Sequence, residues 1–223
     1  MTRGPGGPAA PRAVIFDLWD TLVDWPAGDW AALKGRFAQR LGIDRGRFDA
    51  LWEETYWRRQ TGPLRDAFAA MGAPADSLED LADLRLGFTR AGLVPRPGAL
   101  ETLEELRRRR YRLGLISVCS EDVPAVWNET PFGAMFDAAV FSATCGLRKP
   151  DPEIYLLACG QLEVEPREAV FVGDGANDEL AGAERVGMRA VLIHRPGEEP
   201  HWPEVRGWRG DRVTSIPELL ELL

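Results

Sequence analysis

The chain predicts an α/β fold: a doubly wound parallel sheet, Rossmann-like, with a small all-helical insertion. Three observations carry this. Short apolar, β-branched runs recur, each followed by loop residues and then a helical period. Those runs lack polar alternation, as expected of strands covered on both faces. Between residues 24 and 94 no such run occurs, and helical periodicity takes over.

Taken in order, residues 1–12 (MTRGPGGPAAPR) lack the apolar run of a secretory signal and are expected to form a flexible tail. Residues 13–16 are the first strand. Helices follow at 30–41, 45–60, 63–71 and 77–91, with Gly42, Gly62, Gly72 and Gly92 where they should stop and Pro63 suited to a first turn. Residues 97–110 carry Leu100, Leu103 and Leu106 at helical spacing and lead into a strand at 112–117. Further strands are expected at 139–141, 169–172 and 190–193, then a short last strand at 212–216 and a closing helix at 217–223. The core therefore comprises residues 13–23 and 95–223, and the helical insertion residues 24–94.

Composition narrows the function. With 223 residues and 45% hydrophobic content the chain can bury a proper interior. A net charge of -8, from 35 acidic and 27 basic residues, lacks the footprint of a nucleic-acid binder. The run Arg107 to Arg110 sits late in a helix, where cations suit the macrodipole. Cys119, Cys145 and Cys159 are too scattered for a disulfide framework or a zinc site, which suits a reducing cytoplasm. No stretch approaches the roughly 18 apolar residues of a membrane span. Lysine occurs only at Lys34 and Lys149.

Four pieces at strand ends carry the chemistry. Asp17 follows the first strand in Phe16-Asp17-Leu18-Trp19-Asp20-Thr21-Leu22, where open parallel sheets bind ligands. Leu115-Ile116-Ser117 ends a strand in a hydroxyl. Arg148-Lys149-Pro150-Asp151-Pro152 presents an ammonium before a helix, and Val172-Gly173-Asp174-Gly175-Ala176-Asn177-Asp178 runs a strand into two carboxylates. Together they meet the needs of phosphoryl transfer: a carboxylate to attack phosphorus, a hydroxyl and a lysine to hold phosphate oxygens, and further carboxylates to hold Mg²⁺.

These four motifs, in this order and spanning nearly the whole chain, resemble the haloacid dehalogenase superfamily, most of whose members are phosphatases. The helical insertion after the first strand resembles the cap that many members carry. The resemblance implies Asp17 as nucleophile, Ser117 as a ligand of the phosphoryl group, and Lys149 steadying both phosphate and Asp17. Asp17, Asp174 and Asp178 would serve Mg²⁺, joined by the backbone carbonyl of Trp19.

One departure bears on mechanism. Phosphatases of this superfamily carry a second aspartate two places after the nucleophile, which protonates the leaving group and later activates water; here Trp19 stands there, facing substrate. Losing positioned acid/base catalysis costs about 10²- to 10⁴-fold. Asp20, one place on, is a candidate substitute acid, although a one-place shift turns a side chain elsewhere and bonding of loop amides is the competing role. The expectation is a Mg²⁺-dependent hydrolase forming an aspartyl-phosphate on Asp17, acting on a small phosphorylated molecule and preferring activated esters. Two alternatives stand beside it: a catalytically weak or silent phosphate- or partner-binding module, and a 2-haloacid dehalogenase. The dehalogenases have an aromatic residue at the Trp19 position but lack the Gly173-Asp174 pair. Lys34, the one lysine in the insertion, is spaced too close to Asp17 for Schiff-base work and is expected on a helix surface. Tyr56, Trp57, Arg58 and Arg59 could recognise a leaving group or be core and solvated helix end. The chain is expected to be a monomer or homodimer, without nucleic-acid or membrane partners.

Overall fold

The computed structural model describes residues 10–195 and 202–223. Residues 1–9 of the expected tail lie outside them. Arg12 is tied down, its amide donating to the Glu168 carbonyl at 2.7 Å and its guanidinium pairing with the Glu168 carboxylate at 3.2 Å.

Six strands form one parallel sheet: β1 (Ala13–Phe16), β2 (Arg112–Ser117), β3 (Ala138–Phe141), β4 (Ala169–Gly173), β5 (Arg189–Ile193) and β6 (Asp211–Val213), in the order β3-β2-β1-β4-β5-β6. Successive side chains enter opposite layers. Val14, Phe16, Leu113, Leu115, Val170 and Val172 join one buried cluster, whereas Ala13, Ile15, Ile116, Phe171 and Leu192 join the other. Both layers are filled by helices, which is why the strands read as continuous apolar runs. The strand order reverses at β1, so the crevice beyond the carboxyl ends of β1 and β4 is the expected ligand site of an open α/β sheet.

The insertion contributes α1 (Ala27–Arg40), α2 (Arg45–Glu54), α3 (Tyr56–Gln60), α4 (Leu64–Ala70) and α5 (Leu78–Gly92). These helices have a core of their own, in which Leu33, Phe37, Phe48, Trp52, Phe68 and Leu81 are buried together. The helix expected over 45–60 is two helices. At Thr55 the Leu51 carbonyl accepts from both the hydroxyl at 2.8 Å and the amide at 3.0 Å, and the backbone leaves helical geometry (φ -91°, ψ 8°), which ends one helix and starts the next. Entry and exit of the insertion run side by side, with Val23 bridging Pro95 and the Arg96 amide donating to the Leu22 carbonyl at 2.9 Å.

The remaining helices are α6 (Ala99–Arg108), α7 (Asp122–Val126), α8 (Ser142–Cys145), α9 (Pro152–Leu162), α10 (Glu179–Arg185) and α11 (Leu219–Leu222). Among the described residues no helix is long and apolar enough to cross a membrane.

Candidate active site

Three neighbouring strands deliver the site. Asp17 directly follows β1, and its amide donates to the Val172 carbonyl of β4 at 2.8 Å, so the residue is held between the two strands. The chain then closes a tight loop: the Leu18 carbonyl accepts from the Leu22 amide at 2.8 Å and the Val23 amide at 3.1 Å. Asp20 adopts a left-handed conformation (φ 55°) within this loop, and its carboxylate accepts from the Trp25 amide at 3.1 Å. Arg96 donates to the carbonyls of Asp20 and Thr21. Asp20 borders the cavity but its carboxylate is engaged in holding the loop. Trp19 also lines the cavity, edge-on to Trp25 with ring centroids 4.9 Å apart.

A buried charge cluster forms around Lys149, which is 1% exposed. Its ammonium donates to Asp17 Oδ1 and to Glu179 Oε2, each at 2.5 Å. Burial alone would lower the lysine's pKa, but the charges of Asp17 and Glu179 outweigh it and hold the ammonium firmly protonated. Glu179, fully buried at the start of α10, also accepts from the Gly175 amide at 2.9 Å, and burial pushes its carboxyl well above the ordinary range. Asp174 follows β4; its oxygens accept from the Ala176 amide at 3.2 Å and from the Trp202 indole at 2.5 Å. Burial, with the Asp17 charge beside it, pushes Asp174 up to about 6.

Asp17, Asp174 and Glu179 each bring a carboxylate oxygen within 4.8 Å of the others. Three carboxylates around one ammonium leave two negative charges unmatched, and carboxylate oxygens are the hard donors that divalent cations such as Mg²⁺ take. The residues present therefore fit such an ion.

The structure corrects one expected ligand. Asp178 is exposed and pairs with Arg185 at 3.5 Å, outside the carboxylate cluster; Glu179 takes the inward place. Asn177 and Asp178 both turn left-handed (φ 55° and 56°), which rotates the next residue inward. Asn and Asp adopt this conformation more readily than most residues, but sequence alone does not say which ones will. Acidic Glu179, next to the residue that was singled out, was the available signal.

Ser117 ends β2 as expected, buried, with its hydroxyl beside the Cys119 thiol. The residues that follow it, Val118, Cys119 and Ser120, line the cavity. Cys119 is buried and its thiol is pushed strongly upward by burial, as befits a packed residue. Lys34 pairs with Asp49 at 2.9 Å, on a helix surface away from the cavity.

The cavity holds about 340 Å³ and is roofed by the insertion, which contributes Trp25, Tyr56, Gln60 and Arg85. Arg59 is no solvated helix end: it is buried, stacks on Trp52 at 3.6 Å and donates to the Trp52 carbonyl and to Thr55 at 3.0 Å. Trp57 is exposed and stacks on Arg148, the neighbour of Lys149, at 3.9 Å. Arg85, Ser120 and Trp202 were not legible as site residues. A lone arginine within the apolar period of α5 was the one hint.

The haloacid dehalogenase-like hydrolase model matches residues 11–187. The chain is 32% identical to glyceraldehyde 3-phosphate phosphatase of Methanopyrus kandleri, over 82% of this chain and 84% of that one. It is 30% identical to (S)-2-haloacid dehalogenase 4A of Burkholderia cepacia, over 95% and 94%. A phosphatase structure from Thermococcus onnurineus superposes with a TM-score of 0.73 at 25% identity, covering 95% of this chain and 97% of that one. With the family model matched over residues 11–187 and two relatives at least 30% identical over most of both chains, the chain belongs to the haloacid dehalogenase-like hydrolases.

Proposed function

We propose that the chain is a Mg²⁺-dependent phosphatase that acts on a small phosphorylated metabolite through an aspartyl-phosphate on Asp17. The observation that carries this is the cluster of Asp17, Asp174 and Glu179 around Lys149, with its surplus of negative charge. Asp17 and Asp174, with the Trp19 carbonyl, would hold the ion. Glu179, bonded to Lys149 and Gly175, positions the lysine instead. When bound, the ion offsets repulsion between the attacking carboxylate and the phosphoryl oxygens.

Lys149 bonds Asp17 Oδ1 and so leaves Oδ2 as the attacking oxygen. The Oδ2–phosphorus bond forms as the ester P–O bond breaks. Water then attacks phosphorus, releasing phosphate and restoring the carboxylate. Lys149 and the Ser117 hydroxyl are the donors suited to the phosphoryl oxygens. Trp19 has no proton to give the leaving group, which therefore departs as an anion, so esters of acidic alcohols and acyl phosphates should react fastest.

The test compares acyl, aryl and alkyl phosphates with and without Mg²⁺. We expect acyl and aryl phosphates to be favoured by at least about 100-fold, Asp17→Asn to be inactive, and Trp19→Asp to gain alkyl activity. Equal or faster turnover of alkyl phosphates by the native chain would defeat the leaving-group argument.

A second reading is supported by the dehalogenase relative and the aromatic Trp19: attack of Asp17 on a halogen-bearing carbon. The unmatched carboxylates oppose a metal-free site. Halide release unaffected by chelator would favour this reading over the first.

A further inference from the structure

The segment between β5 and β6 reaches the cavity through Trp202, whose indole N–H donates to Asp174 Oδ2 at 2.5 Å. The other oxygen, Oδ1, accepts from the Ala176 amide at 3.2 Å, so the carboxylate is held at both oxygens. The backbone behind the indole is docked on the same loop. Val205 is buried, and its amide donates to the Trp202 carbonyl at 3.2 Å. Its side chain packs on Gly175, where a Cβ would lie 2.5 Å from Val205 Cγ1 and where the backbone is left-handed (φ 93°), as glycine permits. Two contacts, Trp202 on Asp174 and Val205 on Gly175, thus join this segment to the loop that follows β4.

The chemistry of the donor matters. Indole offers one N–H, no acceptor and no charge. A lysine or arginine on Asp174 would cancel negative charge that Asp17, Asp174 and Glu179 hold in excess of Lys149. An indole fixes the carboxylate and leaves that charge for a cation, and its bond to an ionised oxygen is of the stronger, charge-assisted kind.

We propose that Trp202 is a positioning residue for the divalent cation: it holds the Asp174 carboxylate in the orientation the ion requires and so sets the affinity of the chain for Mg²⁺. This rests on the Mg²⁺-dependent reading above. Without the indole N–H the carboxylate keeps the Ala176 amide on Oδ1 but loses its partner on Oδ2, and it gains freedom to turn that binding the ion must remove again. Hydrogen-bond partners behind a metal ligand typically change metal affinity by about 10- to 100-fold.

Calorimetric titration of chelator-stripped protein with Mg²⁺ tests this. Trp202→Phe, which keeps a ring but has no donor, should bind Mg²⁺ about 10- to 100-fold more weakly than the native chain. A second measurement separates positioning from packing. In proton–nitrogen correlation spectra the Trp202 indole N–H, assigned by triple resonance, should move upfield in Asp174→Asn, where the acceptor is neutral, and should stay hydrogen-bonded when Mg²⁺ saturates the native chain. These spectra use no Trp202 variant and so need none to fold. Mg²⁺ affinity of Trp202→Phe within about twofold of native overturns the assignment. So does an indole resonance that ignores Asp174→Asn, or one that Mg²⁺ releases from its bond, since the indole would then occupy the place of the ion. In each of those cases a native chain that binds Mg²⁺ still supports the metal-dependent phosphatase. A native chain that takes up no Mg²⁺ overturns both readings.

Discussion

Lys149 shows how far the site depends on charges that water does not reach. Its ammonium has Asp17 and Glu179 as buried carboxylate partners; without Glu179 the charge of Asp17 remains, but Lys149 and the Gly175 amide each lose a buried acceptor, at roughly 1–3 kcal/mol apiece. Glu179→Ala should therefore lower unfolding free energy by about 3 kcal/mol in chelator-treated protein, whereas Glu179→Gln, which keeps an acceptor for Lys149 and Gly175, should cost clearly less. Urea denaturation measures both; a Glu179→Ala loss under about 1 kcal/mol would show that Lys149 does not depend on it. The sequence made Asp17 and Ser117 legible because they stand just beyond and at the end of a strand, where fold class fixes their place, and Lys149 legible as a lysine in the loop before α9. It hid Glu179 because two left-handed residues, invisible in the chain's spelling, decide which acid of Asp178-Glu179 turns inward.

At the scale of elements, strand positions were legible because burial on both faces leaves an unbroken apolar signature: β1 and β2 begin and end where their runs do. Helix ends were less so. The break at Thr55 is a local change of backbone dihedrals (φ -91°, ψ 8°) that leaves the apolar periodicity unaltered. The junction between β4 and α10 shows what an element boundary must supply. A Cβ on Gly173 would lie 2.0 Å from Glu179 Oε1, so the strand must end in glycine for the glutamate to reach Lys149. Gly173→Ala should destabilise the chain by about 1–3 kcal/mol, by overpacking at a buried site, and reduce turnover. Gly160→Ala, in the last turn of α9 with nothing among the described residues within 4 Å of the new Cβ, should instead be neutral or stabilising by up to about 1 kcal/mol. Parallel melts and rates of the two variants check the contrast; similar losses in both would remove the special role of the Gly173 position.

Across the whole molecule, the sheet and the helical insertion meet over a patch of negative charge that neither could relieve alone. The insertion is fastened to the segment after β2: Arg85 and Thr89 reach Asp122, the Leu64 amide donates to Glu121 at 2.9 Å, and Arg90 pairs with Glu129 at 2.7 Å. The roof thus shares one cavity with Asp17 and Asp174, both of which are largely buried. Asp174 is pushed up to about 6, so it holds its proton more tightly folded than unfolded, where a carboxyl titrates near pH 4. Metal-free protein should therefore lose stability as pH rises from about 4 to about 6, because the folded state binds more protons across that window. Buried Glu179 is shifted in the same direction and extends the loss upward. A bound divalent cation reverses the penalty only where the carboxylates are ionised. Mg²⁺ at about 100 times its dissociation constant should raise the melting temperature by roughly 5–10 °C at about pH 7.5 and by much less at about pH 5. Thermal denaturation with Mg²⁺ and with chelator at both pH values measures this, and an equal gain at the two would mean that the ion is not held by carboxylates that titrate in this window.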